Sequence, residues 1–292
     1  MGEVLCEPQV LVASGFEPQA AELVAQLLRQ GRGLLFVCGP PQSGRQAALH
    51  HLLAAINRAD LSVVAAERDT GEDLEGVTQI SIAEDLDTDF ATWINGALRA
   101  DADVIMLGEL RTLASVMSAV RAASRRLLLV RHDGLSSMAP LMELLEQGAP
   151  PSLVCQMVRG VISVRSLERL CPACRRPAPF PSALFDPFPP LHLTGAALDC
   201  YEAPGCEACG GLGWRQRVAI HEVVSVGLQM LPLLEQGADR QRLLQAGRQA
   251  TVLALLRDGL RKMDQGLVSA QQVAALGEDV PFDLPGAAGL DN

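Results

Sequence analysis

Aromatic residues are few in this 292-residue chain: Phe 7, Trp 2 and Tyr 1. A core must therefore come mainly from Leu, Val, Ile and Ala, and a hydrophobic share of 49% with a mean hydropathy of +0.20 supplies it. Basic charge is not in excess. The formal net charge is −10, which argues against a uniformly basic nucleic-acid-binding surface. Long apolar runs are missing too, since none approaches the roughly 20 residues that span a bilayer. Residues 1–7 are acidic and lack the basic start of a secretory signal. These absences predict a cytoplasmic protein, peripheral at a membrane only through partners. The length corresponds to about two domains.

Eight cysteines are present, and four of them fall in two C-x-x-C pairs. Without a secretory signal, that spacing favours a metal over disulfides. Cys6, Cys38, Cys155 and Cys200 are scattered, and Cys38 and Cys155 suit buried packing positions.

Residues 16–30 read as an amphipathic helix ended by Gly31 and Gly33. Residues 34–38 (LLFVC) read as a buried strand, and the run after GPPQSGRQ as a helix ending near Asn57. Further strands are expected at 61–66, 77–82, 104–107 and 127–130, with an acidic loop at 67–75. Helices are expected at 90–100, 113–123, 137–147 and 152–164. The alternation implies a mostly parallel sheet covered on both faces. From Cys171 the pattern changes. Residues 177–190 hold six prolines and read as an irregular surface loop. Residues 228–276 are helical in pattern, with Leu243, Leu244, Leu253, Leu255, Leu256 and Leu260 as core contacts. The predicted organisation is a helical entry segment (1–30), an α/β core (31–170), a tetracysteine subdomain with the Pro-rich loop (171–216), a C-terminal helical region (217–277) and a tail (278–292).

Between the strand at 34–38 and the next helix lie Gly39, Pro40, Pro41, Gln42, Ser43, Gly44, Arg45 and Gln46. The two glycines have the spacing of a phosphate loop, G-x-x-x-x-G-K-[ST]. In that loop backbone N–H groups wrap the phosphates, the Lys reaches the β/γ oxygens and the hydroxyl holds Mg²⁺. Here Arg45 keeps the charge on a longer, planar fork, and Gln46 has no hydroxyl to offer. Taken alone, the segment also reads as a Gly/Pro turn between strand and helix.

The order of motifs resembles the motor ATPases of type II secretion and type IV pilus assembly. SGFEPQAAELVAQLLRQGRGLLFVCGPPQSGR resembles the entry to that family's motor domain, and ADADVIMLGELRTLASVMSAVRAAS its Walker B segment. LLLVRHDG resembles its His box, and LMELLEQGAPPSL the stretch that follows. LERLCPACRRP and CEACGGLGWRQRVAIHEVV match R-L-C-x-x-C and C-x-x-C-x-G-x-G-[YF]-x-G-R-x-G-I-[YF]-E. The matches run in order from about residue 14 to 276. The resemblance implies a P-loop NTPase (RecA-like) α/β fold, with a zinc-binding tetracysteine insertion and C-terminal helices. It implies ATP and Mg²⁺ as cofactors beside a structural Zn²⁺.

Carried over residue by residue, Glu109 matches the Walker B glutamate, and Arg111 the arginine after it. Thr112 stands where the family has Asp. His132 matches the His-box histidine, between Arg131 and Asp133 where the family has apolar and hydroxyl residues. Two residues are deleted near Ser124. The family's E-D-P-[VI]-E box aligns with ERDTG, so Glu67 is kept and Gly71 replaces the second, water-polarising glutamate. Glu72, one residue along, is the candidate substitute. Read as residues alone, Glu109 is also a solvated carboxylate at a strand end, and His132 an ordinary loop histidine. The losses converge on hydrolysis, because phosphoryl transfer rests on positioning and charge stabilisation.

Cys171, Cys174, Cys206 and Cys209 form two knuckles with 31 residues between the pairs, the donor set of a tetrahedral zinc site. Free structural cysteines, a chaperone-type zinc repeat and a nucleic-acid zinc ribbon flanked by Arg175, Arg176, Arg215 and Arg217 are the other readings. The favoured function is a nucleotide-binding, hydrolysis-impaired subunit that regulates or joins a secretion or pilus motor. A working ATPase using Arg45 and Glu72 is the alternative, and a zinc-ribbon binding module a further one. A decayed, partnerless remnant is the bland reading. Full-length family members carry a domain before the motor domain, and ATP sits between the two in a hexamer. Only about 14 residues precede the match here. Weak or absent self-association is therefore expected, with a homologous ATPase or an inner-membrane platform protein as partner and no nucleic acid.

Overall fold

The structure is a computed structural model that describes residues 4–56, 58–67, 73–82, 90–188, 191, 198–235 and 240–278. Its strands are β1 (Gly33–Gly39), β2 (Val63–Glu67), β3 (Val77–Ser81), β4 (Val104–Leu107), β5 (Leu127–Asp133), β6 (Val158–Leu170), β7 (Arg176–Ala178), β8 (Cys200–Glu202) and β9 (Trp214–Ser225). Its helices are α1 (Pro8–Ala13), α2 (Pro18–Arg29), α3 (Arg45–Ile56), α4 (Phe90–Arg99), α5 (Leu113–Ala123), α6 (Ala139–Glu146), α7 (Pro151–Met157), α8 (Leu231–Glu235), α9 (Arg240–Asp264) and α10 (Ala270–Ala275).

Seven strands form one sheet in the order β3-β2-β4-β5-β1-β6-β9. The first six run parallel, and β9 pairs antiparallel with β6. The apolar strand sequences follow from burial on both faces. Leu34, Phe36 and Cys38 of β1 point into one cluster with Ile105, Leu107, Leu128 and Val130, under α4 to α7. Leu35 and Val37 point the other way, with Met106 and Leu129, under α1 to α3. The two-residue period of each strand thus feeds two cores. Parallel strands also put the ends of β1, β2, β4 and β5 along one edge, where ligands of open α/β sheets bind.

Two expectations are corrected. Residues 152–164 are not one helix: α7 stops at Met157 and β6 runs from Val158. The segment is apolar and rich in Val and Ile, so periodicity alone does not separate buried helix from buried strand. Pairing with β1 and β9 on either side decides it. Residues 217–225, assigned to the helical region, belong to β9 and close the sheet. The helices α8, α9 and α10 follow it.

A third core lies where the sheet extends past the parallel strands. Leu167 of β6 and Ile220 of β9 meet Val252, Leu255, Leu256, Leu260 and Met263 of α9 there. Phe185 and Phe188 are buried in the same cluster, and Phe180 stacks on Phe185 with centroids 5.4 Å apart. The described part of the Pro-rich segment is thus a mostly exposed surface loop, anchored by aromatic side chains.

α9 grips β9 through polar contacts. Asp258 Oδ2 accepts the His221 backbone N–H at 2.8 Å. Lys262, the one lysine in the chain, donates to Asp258 Oδ2 at 2.8 Å and to the Ala219 carbonyl at 2.6 Å. The His221 ring stacks on Phe16 at 3.8 Å, and its buried Nδ1 has no partner. Burial, then the nearby Lys262 and His51, hold its pKa well below the ordinary histidine value. His221 is neutral in the fold and titrates normally when unfolded. The unfolded chain therefore takes up the extra proton below about pH 6.5, and stability is expected to fall from there as pH drops. Urea midpoints measured across that range check this, and His221→Phe, which keeps the stack, is expected to remove part of the slope.

Candidate functional site

Gly39, the last residue of β1, opens the phosphate-loop segment. A Cβ there would strike Ser43 Oγ and lie 2.7 Å from the Val164 carbonyl, so only glycine fits. Gln42 and Gly44 take left-handed backbone, with φ of 63° and 90°. Pro41 and Gln42 are exposed, while Ser43 is buried and its Oγ has no partner. Arg45 and Gln46 start α3.

The Arg45 side chain is buried and turns toward the end of β5. Its Nη1 donates to the His132 carbonyl at 2.9 Å, and the same nitrogen forms an ion pair with Asp133. Burial, and next the Arg131 charge, lower the guanidinium pKa, and Glu109 acts in the opposite direction. Arg45 thus has a carboxylate and a carbonyl of its own chain where a phosphate-loop cation would meet phosphate.

His132 is buried on β5 rather than lying in a loop. Its Nε2 is 2.6 Å from Glu143 Oε2 of α6, and its Nδ1 is 3.7 Å from Cys38 Sγ. The His132 hydrogen bond holds the Glu143 carboxyl below its usual value. Burial pushes the Cys38 thiol up to about 12, which leaves it a packing group rather than a nucleophile. Glu109 lies just beyond β4 and pairs with Arg111 at 2.7 Å. Glu67 ends β2, buried, with Oε1 3.4 Å from His50 Nε2 of α3. Glu72 and Gly71 lie outside the described residues. The sheet therefore gathers the phosphate-loop segment, Glu67, Glu109 and His132 along one edge. Asp133 and Glu143 were not among the expected site residues. The signal for Asp133 was its acidic side chain at a position where the resembling family has a hydroxyl.

The cysteines form a second centre. The four Sγ atoms of Cys171, Cys174, Cys206 and Cys209 lie within 4.8 Å of one another. Cys171 and Cys206 are 4.0 Å apart, and Cys206 and Cys209 are 3.8 Å apart. A tetrahedron with Zn–S near ~2.3 Å has edges of about 3.8 Å, so the cluster fits one tetrahedral metal ion. Desolvation raises the Cys209 thiol, and hydrogen bonds from the Cys206 and Gly213 N–H groups, each reaching the sulfur at 3.2 Å, together with the Cys206 and Cys171 thiols bring it down to about 6. Gly213 needs its φ of 76°, and a Cβ there would strike the Ala203 carbonyl. The cluster is tied to the third core. Arg175 Nη1 donates to the Gly266 carbonyl at 2.7 Å, and Leu170 N–H to the Leu267 carbonyl at 2.8 Å.

Known proteins place the chain in a family. The family model described as Type II/IV secretion system protein matches residues 8–275. The chain belongs to this family. The Type IV pilus assembly ATPase PilB of Myxococcus xanthus is 32% identical over 267 residues, covering 89% of this chain and 46% of its own. The Type II secretion system ATPase E of Vibrio cholerae is 30% identical over 252 residues, covering 85% of this chain and 49% of its own. The chain spans about half the length of the curated relatives it matches. Among solved structures, the pilus retraction motor PilT with bound ADP superposes with a TM-score of 0.62 at 18% identity, over 96% of this chain and 69% of that one. The Legionella pneumophila ATPase DotB gives 0.59 at 17% identity, over 91% and 64%. These two solved structures share the fold. No described helix is long and apolar enough to cross a membrane.

Proposed function

We propose that this chain is a secretion- or pilus-motor ATPase-like subunit whose hydrolysis is impaired and which acts as a non-catalytic or regulatory component of such a system. The observation that carries this is the burial of Arg45 against the His132 carbonyl and Asp133. A phosphate must displace that carboxylate before it reaches the guanidinium, and the displaced Asp133 would repel it. Gln46 offers no hydroxyl to Mg²⁺. Weak phosphate attraction remains through backbone N–H groups at the start of α3. The tetracysteine centre, read as structural Zn²⁺, holds the two cysteine knuckles beside the turn between α9 and α10. The partners are a homologous ATPase or an inner-membrane platform protein, met in the cytoplasm.

A working ATPase is the second reading, favoured by the position of Glu109 just beyond β4, at the same end of the parallel strands as the phosphate-loop segment. Titration of a fluorescent ATP analogue, with and without Mg²⁺, separates the two. The proposal expects a Kd near ~1 mM or weaker, at the upper end of ordinary substrate ranges, and little dependence on Mg²⁺. Tight Mg²⁺-dependent binding with steady turnover would favour the enzyme. A pull-down that recovers no secretion or pilus component would count against the partner assignment.

A further inference from the structure

Residues 134–138 follow Asp133 directly and are held from four sides. From β1, Cys38 Sγ donates to the Ser136 carbonyl at 3.3 Å. From β6, Arg165 Nη2 donates to the Leu135 carbonyl at 3.1 Å. On the β9 side, Ser137 Oγ donates to Glu222 Oε1 at 3.4 Å. On the α9 side, the Ser137 backbone N–H donates to Thr251 Oγ1 at 3.0 Å. One turn earlier on α9, Gly247 packs so closely on Met138 that a Cβ would lie 2.6 Å from the Met138 Cβ. Thr251 has no exposed surface, and Ser136, Ser137 and Glu222 are buried with it.

A hydroxyl and a glycine are unusual choices for the buried face of an otherwise leucine-rich helix. Valine would fill the volume of Thr251, and alanine is the better helix former than Gly247. Both residues instead fit the loop, one by accepting its N–H and the other by letting its backbone approach. The loop in turn begins at the residue after Asp133, whose carboxylate pairs with Arg45. The short path from α9 to the phosphate-loop segment therefore runs through Thr251, residues 134–138 and Asp133. Across the register from Glu222 lies the buried Ser163, and hydrogen bonds from Ser163, Thr251 and Ser137 offset part of the rise that burial gives the Glu222 carboxyl.

We propose that α9 acts as a latch on the phosphate-loop segment, with Thr251 and Gly247 as its positioning residues. With α9 seated, residues 134–138 hold Asp133 against Arg45. When α9 lifts at this point, the loop and the Arg45 segment are released together. This rests on the reading of the Arg45–Asp133 contact as a block on the phosphate site, and it supplies the regulation of that block.

Amide hydrogen exchange on the whole chain without nucleotide tests it. Thr251→Val keeps the volume and removes the acceptor. Exchange at residues 134–138 and 42–46 is expected to rise together by about tenfold, while β4 is unchanged. Thr251→Ser is expected to behave like the parent. A rise confined to α9, a uniform rise that includes β4, or a serine variant that matches the valine one would overturn the latch. Should Thr251→Val fail to fold, the denaturant dependence of exchange in the unmodified protein decides. Residues 42–46, 134–138 and 247–251 must then open with one shared free energy, and separate openings would overturn the proposal. ATP turnover measured on the same preparations keeps the two readings apart. Rapid turnover removes the block and leaves the coupling between α9 and the loop to stand or fall on exchange alone.

Discussion

Replacing Cys171 with serine is expected to lower the melting temperature by about 10 °C and to empty the metal site. The size follows from what the cluster holds. Cys171 lies just past β6, and Cys206 and Cys209 lead into β9, so one ion ties edge strand β9 to its neighbour β6. Arg175, next to Cys174, donates to the Gly266 carbonyl and stands over the Tyr201 ring at 5.6 Å. Loss of the knuckle therefore loosens the turn between α9 and α10 and the third core beneath it. Structural zinc contributes folding free energy directly, and a loss of roughly 5 kcal/mol moves a chain of this size by about 2 °C per kcal/mol. Calorimetry and elemental analysis check it, with about one zinc per chain expected in the parent. Cys38→Ser touches no metal ligand and is expected to leave the zinc content unchanged. Protein purified without chelator that carries no zinc would refute the prediction.

The second large effect is expected at the phosphate loop. Arg45→Lys, Gln46→Thr and Asp133→Ser together restore a compact cation, offer Mg²⁺ a hydroxyl and remove the competing carboxylate. Mg²⁺-ATP is expected to bind at least about tenfold more tightly, the equivalent of ~1.4 kcal/mol, and to become Mg²⁺-dependent. Turnover is expected to follow only when Gly71→Glu is added, because tight binding without an oriented water lowers no barrier. Isothermal titration and a phosphate-release assay measure the two separately. An unmodified protein that already hydrolyses ATP at ~1 s⁻¹ or faster would show that Arg45 works as it stands.

The same residues show what a linear reading carries and what it misses. The glycine spacing 39 to 44, the position of Glu109 after an apolar strand and the two cysteine pairs are local patterns. Each is recognised from residues a few positions apart, so sequence alone singled out all three, although the fold had to bring the two cysteine pairs together. The strands β1, β4 and β5 were legible for the same reason: each is a short apolar run with turn signals at both ends. Residues 152–164 were misread because an apolar stretch rich in Val and Ile satisfies helix and strand equally until a neighbouring strand offers hydrogen bonds. β9 was hidden by the opposite problem, a run of Arg, Gln and His with its apolar residues unevenly spaced, made a strand by its pairing with β6.

Composition and motif order determined the family, the α/β class, the phosphate-loop segment and the four candidate metal ligands. Only the tertiary structure decided how those parts act on one another. Arg45 and Asp133 are 88 positions apart in the chain, and Ser137 and Thr251 are 114 apart. No periodicity encodes contacts across such distances. They arise because parallel pairing sets the end of β5 beside the end of β1, and because the third core seats α9 on the loop that follows.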